Sequence, residues 1–219
     1  MIYSFNFRDV FAKIDMLVEG AVLTLQLSAI TMVLGLIVGT AGALARSWGP
    51  PPVRFAAAAY VETIRNTPLL IQLFLVYFGL PSLGLRFDAD AAAVVALTVN
   101  LGAYATEIIR AGLQSIHKSQ IEAGLALGLS RLQVFRYVVL FPAFRAIYPA
   151  LASQFILLML ATSVVSLISA QELFHMASVL QSRTFRDFEV YVVTAGFYLG
   201  LALMFRLMFA AIYQIAFRR

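Results

Sequence analysis

The sequence contains no cysteine among its 219 residues. The chain therefore has no disulfide framework, no thiol nucleophile and no cysteine-ligated metal. Charged side chains are also scarce, at 12% of the residues, whereas a soluble domain has roughly 25%. Hydrophobic residues make up 62% of the chain, and the mean hydropathy is +0.89. One soluble core of this size could not hide so many apolar side chains, which excludes an ordinary soluble enzyme and a disordered chain.

The motifs of common hydrolytic sites are missing as well. A phosphate-binding loop needs Gly-Lys followed by Ser or Thr, but the two lysines follow Ala12 and His117. The sequence has no His-Glu-x-x-His pair and no Gly-x-Ser-x-Gly elbow, and His117 and His175 are isolated. We therefore expect a chain that does not hydrolyse ATP itself and that binds no metal or cofactor of its own.

The charges that are present lie between five long neutral runs. Three runs have at least 20 residues, the length that a helix needs to cross the hydrocarbon core of a bilayer. Two runs have 16, and interfacial or snorkelling charges such as Asp88 and Arg206 can extend them. The pattern predicts an all-α integral membrane protein, one transmembrane domain over residues 1–219. Its five transmembrane helices are predicted near 20–45, 58–83, 89–108, 147–171 and 189–210.

Lys and Arg predict the orientation of these helices. Eleven of the sixteen basic side chains fall in the first loop, the third loop and the C-terminal tail, which includes Arg218 and Arg219. The richer side should be cytoplasmic, so we expect the N-terminus outside and the C-terminus inside. The first run is too long and its start too acidic for a signal peptide, and we expect it to stay as the first helix.

Small residues predict close helix packing at two places. Gly35 with Gly39, and Gly196 with Gly200, have the four-residue spacing that lets helices approach closely. We expect both pairs to pack against helices of this chain or of a second copy.

The third loop, over residues 109–146, carries helix signals of its own. Ser119 and Glu122 have the spacing of a capping box, in which a hydroxyl caps the first amides and a carboxylate reaches back. They predict a short helix over residues 120–127. Gly128 fits the position just past its end, where the backbone takes a positive φ.

A second helix signal follows directly. Ser130 and Gln133 again have capping-box spacing, while Pro142 and Pro149 predict kinks or helix boundaries on the way back into the membrane. The loop should therefore present a short helix that can enter a groove on a partner. A DNA-binding helix-turn-helix is disfavoured, because the segment is tethered between spans and has few spare basic residues. A simple connecting loop remains the alternative.

This loop resembles the signature of permease subunits of bacterial ABC importers for polar amino acids. That signature reads Glu-Ala-Ala, three residues, Gly, nine residues, an Ile-like position, then Leu-Pro. Glu122-Ala123-Gly124 stands at the triplet, Gly128 has the right spacing, and Val138 and Leu140 take the later positions. Gly124 departs from the second Ala, and Phe141-Pro142 places the proline one residue late.

Three further segments resemble the same family in the same order along the chain. They correspond to its second-helix motif, the end of its third helix and its fourth-helix segment, at residues 65–72, 103–112 and 162–173. The resemblance covers about residues 17–215.

The resemblance implies a type I ABC importer permease fold in the bacterial inner membrane. Two permeases, identical or homologous, would form the pathway, and two cytoplasmic ATPase subunits would bind ATP and Mg²⁺. An extracytoplasmic solute-binding protein would deliver a polar amino acid, and nucleic acid has no role. The loop helix would couple the pathway to the ATPase through Glu122, Ala123, Gly124, Leu125 and Gly128.

Polar side chains inside the predicted spans are candidates for the substrate path, although each could equally serve helix packing. Thr162, Ser163, Ser166 and Ser169 should share one face of the fourth span. Glu172 ends that span near the predicted outer side, where it could meet an amino group or simply be solvated. The candidates are Gln72, Asn100, Tyr104, Gln154, Thr162, Ser163, Ser166 and Glu172.

Other functions stay open at this point. An ABC importer for another small solute would share every feature described so far. An ATP-independent carrier would need an inverted repeat, which the sequence does not show. A non-transporting membrane scaffold is disfavoured by polar residues in several spans.

Overall fold

A computed structural model describes residues 5–217, which form helices joined by short turns with no strand in that range. The helices are α1 (Arg8–Phe11), α2 (Ile14–Trp48), α3 (Pro51–Arg65), α4 (Leu69–Leu83), α5 (Ala89–Gln114), α6 (Lys118–Ala126), α7 (Arg131–Ile168), α8 (Leu173–Thr184) and α9 (Asp187–Phe217). Two of them change geometry along their length: α4 passes from α- through π- to 3-10-helical turns, and α7 contains a π-helical stretch and a 3-10 end.

Four helices of the described chain, α2, α5, α7 and α9, are long and apolar enough to cross a membrane. The single helix predicted over 58–83 is instead two helices, α3 and α4, which meet at 109°. Counting that pair as one broken span gives up to five. Arg218 and Arg219, which entered the orientation argument, lie outside the described residues.

The break between α3 and α4 has a local cause that the neutral run concealed. Pro68 has no N–H to donate and disfavours helical backbone at the residue before it. Asn66 Nδ2 donates to the Glu62 carbonyl at 2.8 Å, and Thr67 Oγ1 donates to the Thr63 carbonyl at 2.9 Å. These side chains bond the last carbonyls of α3 and end it there.

Helices α2 and α5 form the centre of the bundle because small residues let them come close. Gly35 lies against Leu101 and Gly39 against Ala105, and a Cβ at either glycine would collide with that partner. The packing expected of this pair is confirmed. By contrast, nothing lies within 4 Å of a Cβ built on Gly196 or Gly200, so that face of α9 is open in the single chain.

The two prolines of α7 behave differently from each other. At Pro142 the helix changes from π-helical turns, Val134–Leu140, to α-helical geometry. At Pro149 the α-helix continues, so no boundary forms there. Proline is tolerated in membrane helices where local π adjustments and neighbouring helices satisfy the freed carbonyls.

Candidate functional site

The segment between α5 and α7 forms one end of the bundle. Helix α6 begins at Lys118, and His117 occupies its N-cap without a side-chain hydrogen bond. The capping box predicted at Ser119 and Glu122 is therefore wrong, because Ser119 already lies in the first turn of the helix. An N-cap residue has non-helical backbone angles, whereas Ser119 has helical ones, so its hydroxyl cannot cap the amides that follow.

The end of α6 has the predicted glycine turn. Gly128 has φ of 81°, and its N–H donates to the Leu125 carbonyl at 3.0 Å. The N–H of Leu129 donates to the Gly124 carbonyl at 3.2 Å. These two bonds form a Schellman motif, which satisfies the last carbonyls of the helix and reverses the chain.

The capping box predicted at the start of α7 is confirmed. The Gln133 N–H donates to Ser130 Oγ at 3.3 Å, and the Ser130 N–H donates to Gln133 Oε1 at 2.8 Å. A glycine turn followed at once by a capped helix start fixes the angle between α6 and α7.

Helix α6 packs on α7 through Gly124. A Cβ at Gly124 would lie 3.1 Å from Val134 Cγ2 and 3.4 Å from Val138 Cγ2. Gly124 is buried, whereas Glu122 and Ala123 beside it are exposed. Gly124, which replaces the second Ala of the Glu-Ala-Ala triplet, thus stands where α6 lies against α7.

The opposite side of this segment presents an apolar surface. Leu127 is 83% exposed and Leu132 is 75% exposed, with Leu125 and Phe135 beside them. We call Glu122, Leu125, Leu127 and Leu132 the knob. A short helix and the turn after it, with exposed leucines and one carboxylate, fit a groove on a second protein better than they fit water.

The polar path candidates do not form one cluster within this chain. Asn100 Nδ2 donates to Gln72 Oε1 at 2.9 Å. Gln72 Nε2 in turn donates to the Ile64 carbonyl at 2.7 Å and to the Thr67 carbonyl at 3.0 Å. Gln72 therefore holds the break between α3 and α4.

Tyr104 lies one turn beyond Asn100 on α5, beside the same break. The guanidinium of Arg65 lies 5.3 Å from the centre of the Tyr104 ring, a cation–π contact. Gln72, Asn100 and Tyr104 thus lie in one neighbourhood, beside the break between α3 and α4.

Thr162, Ser163 and Ser166 lie on the 3-10 end of α7. Each hydroxyl donates to the carbonyl three residues earlier, at 2.7 Å, 2.8 Å and 2.7 Å. With three residues per turn, Ser163 and Ser166 share a face while the buried Thr162 lies off it. Gln154 is half-buried and makes no side-chain hydrogen bond within the described residues.

Glu172 is fully buried rather than placed at a solvated surface. Its carboxylate caps α8, accepting from the Phe174 N–H at 2.9 Å and the His175 N–H at 2.8 Å. Tyr198 of α9 donates its hydroxyl to the same carboxylate at 2.8 Å. The sequence held no signal for Tyr198, because the contact joins residues 26 positions apart in chain order.

An arginine–carboxylate cluster joins α2 to α5 at the end of the bundle that carries α6. Glu107 pairs with Arg110, at 2.9 Å between Arg110 Nη2 and Glu107 Oε2, as the three-residue spacing favours. Arg46 from the end of α2 pairs with the same carboxylate. Among the described residues, no group of three or more His, Asp or Glu side chains could hold a metal ion.

The comparison with protein families gives one match over most of the chain. Residues 31–217 match the family described as binding-protein-dependent transport system inner membrane component. The glutamine transport system permease protein GlnP of Escherichia coli (strain K12) is 38% identical over 202 residues, which are 91% of this chain and 92% of that protein. The probable glutamine ABC transporter permease protein GlnM of Bacillus subtilis (strain 168) is 36% identical over 90% of this chain and 92% of its own length.

Solved structures share the fold. The crystal structure of an amino acid ABC transporter with histidines matches with a TM-score of 0.90 and 34% identity, covering 97% of this chain and 99% of that one. An inward-facing structure of the MetNI methionine ABC transporter matches with a TM-score of 0.75 at 20% identity, covering 94% of this chain and 98% of that one. The second match concerns the fold alone.

Proposed function

The chain belongs to the binding-protein-dependent transport system inner membrane component family, and on that premise we propose that it is the permease subunit of an ABC importer for a polar amino acid. The observation that carries the proposal is 38% identity to a glutamine permease over 91% of the chain. An ABC importer for another solute class has less support, because the similar permeases of Escherichia coli and Bacillus subtilis both carry glutamine permease names.

The importer is proposed to follow the assembly of its family. Two permeases, identical or homologous, enclose the path, and two cytoplasmic ATPase subunits bind ATP and Mg²⁺. The permease itself is not an enzyme. A solute-binding protein delivers the amino acid from outside the bacterial inner membrane. The pair α3 and α4 would complete a fifth span, with the N-terminus outside and the C-terminus in the cytoplasm, in one domain over residues 1–219.

The knob is proposed to be the surface that docks on the ATPase, with Glu122, Ala123, Gly124, Leu125 and Gly128 as the coupling residues. Its geometry supports this role. The Schellman turn at Gly128 and the packing of Gly124 on Val134 hold α6 rigidly to α7, and α7 continues into the bundle. A displacement of α6 by the ATPase would therefore be transmitted to a membrane helix rather than absorbed by a loose loop.

The substrate path is proposed to use Gln72, Asn100, Tyr104, Gln154, Thr162, Ser163, Ser166 and Glu172. Support differs among them. Gln154 keeps an amide with no partner in the described chain, and Ser163 and Ser166 present hydroxyls on one face. Glu172 and Gln72 have their polar atoms engaged within the chain, so they would shape the path rather than bind directly.

Reconstitution tests the proposed function. The permease, its neighbouring ATPase and its binding protein are placed in vesicles with ATP inside or outside, and uptake of radiolabelled glutamine is followed. We expect uptake that needs all three proteins and ATP. Uptake by the permease alone would identify an ATP-independent carrier, and a binding protein that takes up a sugar or an oligopeptide instead would identify another solute class.

A further inference from the structure

A cavity of about 540 Å³ opens where α2 ends, between the start of α3 and the end of α5. Three arginines line it: Arg46, Arg54 and Arg110. Glu107 neutralises part of this charge through its pairs with Arg46 and Arg110. The guanidinium of Arg54 makes no ion pair or hydrogen bond within the described chain, so the cavity keeps a positive surplus that favours an anion.

The wall of this cavity also holds an unsatisfied hydrogen-bonding group. Ser47 Oγ is buried and has no partner among the described residues. Gln114 accepts from Arg110 Nη1 at 2.8 Å, which leaves its amide nitrogen free to donate. A buried hydroxyl without a partner costs free energy, and the oxygen of a bound ligand would remove that cost.

The rim is aromatic and apolar, unlike the interior. Trp48 is 61% exposed and Phe55 is 76% exposed. The spanning helices α2 and α5 both end here, which sets the cavity at the level of the lipid headgroups. A ligand that suits both parts carries an anionic group for the arginines and apolar chains for the aromatic rim.

We propose that this cavity binds the phosphate group of an anionic phospholipid. Arginine donates to phosphate oxygens in a fixed fork geometry, and basic pockets between membrane helices on the cytoplasmic side hold anionic headgroups. Arg54 supplies the unpaired guanidinium, and Ser47 donates its hydroxyl to the same group. The residues that line the cavity include none of the knob residues and none of the path candidates, although Trp48 on the rim contacts Phe135 beside the knob. The proposal does not depend on the proposed transport activity.

The single tryptophan makes the site directly testable, because Trp48 is the only one in the chain and lines the cavity. The purified chain is reconstituted in phosphatidylcholine vesicles that contain brominated phosphatidylglycerol, or brominated phosphatidylcholine at the same mole fraction. Bromine quenches tryptophan fluorescence on contact. We expect stronger quenching of Trp48 by the brominated phosphatidylglycerol.

Two variants at Arg54 and one control variant test whether Arg54 causes the preference for the anionic lipid. Arg54→Gln should weaken the apparent affinity for the anionic lipid by about fivefold, the effect of one cation near an anionic surface. Arg54→Lys should retain most of it. Arg86→Gln makes the same charge change on an exposed residue beyond the far end of α5 and should leave the quenching as in the unaltered chain. Circular dichroism and size-exclusion profiles confirm that each variant is folded.

Three results would overturn the proposal. Equal quenching by both brominated lipids in the unaltered chain would show that the cavity has no preference for an anionic lipid. A preference that survives Arg54→Gln unchanged would place its cause elsewhere. Loss of the preference on adding millimolar inorganic phosphate, at constant ionic strength, would assign the cavity to a soluble phosphate rather than to a lipid.

Discussion

Asn100 on α5 donates a hydrogen bond of 2.9 Å to the side-chain oxygen of Gln72 on α4. The same glutamine donates to two carbonyls at the end of α3, so one buried side chain connects three helices at the break. Backbone carbonyls freed by a broken helix need donors where water does not reach. Gln72 supplies that donor.

Gln72→Leu should therefore destabilise the chain. The half-buried Ile64 carbonyl, the Thr67 carbonyl and the Asn100 amide would each lose the bond to Gln72, and losing such bonds costs about 1–3 kcal/mol in total. Thermal unfolding in detergent measures the loss as a lower midpoint. Gln154→Leu is the matched control, because that amide has no partner in the described chain and its replacement should change the midpoint little. An equal drop for both variants would contradict the role given to Gln72.

The break between α3 and α4 could not be predicted from the sequence. The neutral run over 66–85 predicts one span by composition, since neither length nor hydropathy registers a turn of 109°. Pro68 was visible in the sequence, but prolines also occur inside continuous membrane helices, as Pro149 does. Pro68 differs from Pro149 because Gln72 bonds the carbonyls at the end of α3 and is itself held by Asn100 of α5. The contact with α5 depends on tertiary packing.

The loop segment shows the reverse case, where local signals were sufficient. Gly128 and the Ser130–Gln133 box were predicted from spacing because both motifs depend on a few neighbouring residues. The box at Ser119 failed because the helix starts at Lys118, two residues earlier than its spacing requires. The Glu172–Tyr198 contact was out of reach, because only tertiary packing brings α8 and α9 together.

Gly39→Ala should destabilise the bundle more than a glycine replacement usually does. The added methyl would collide with Ala105 across the α2–α5 contact, and overpacking of this kind costs about 1–3 kcal/mol. Gly200→Ala is the control, because its Cβ meets nothing within 4 Å and alanine favours helix by up to about 1 kcal/mol. Thermal unfolding of the isolated chain should separate the two variants. Equal midpoints would show that α2 and α5 can move apart at no cost.

Gly128→Ala should impair coupling between the permease and its ATPase. Alanine at φ of 81° is strained by about 1–2 kcal/mol, which would tilt α6 away from its turn. Gly84→Ala imposes the same strain at φ of 85°, and a Cβ at either position meets nothing within 4 Å. Substrate-stimulated ATPase activity of the reconstituted importer should fall for Gly128→Ala and stay normal for Gly84→Ala. Parallel losses would indicate a general folding defect instead of a coupling defect.

Glu122→Lys tests the knob itself. Glu122 is exposed beside Leu125, so a lysine there leaves the fold of this chain unchanged while reversing the charge presented to a partner. A reversed charge in a docking contact costs several kcal/mol, so substrate-stimulated ATPase activity should fall at least about tenfold. Glu19→Lys makes the same charge change on an exposed residue near the start of α2, at the end of the bundle opposite to α6. It should have no effect on stimulation. Both variants should insert into membranes in normal amounts, measured by quantitative blotting of membrane fractions. Normal stimulation in Glu122→Lys would refute the assignment of the knob to ATPase coupling, because Glu122 makes no side-chain hydrogen bond or ion pair within residues 5–217 that could compensate for the reversed charge.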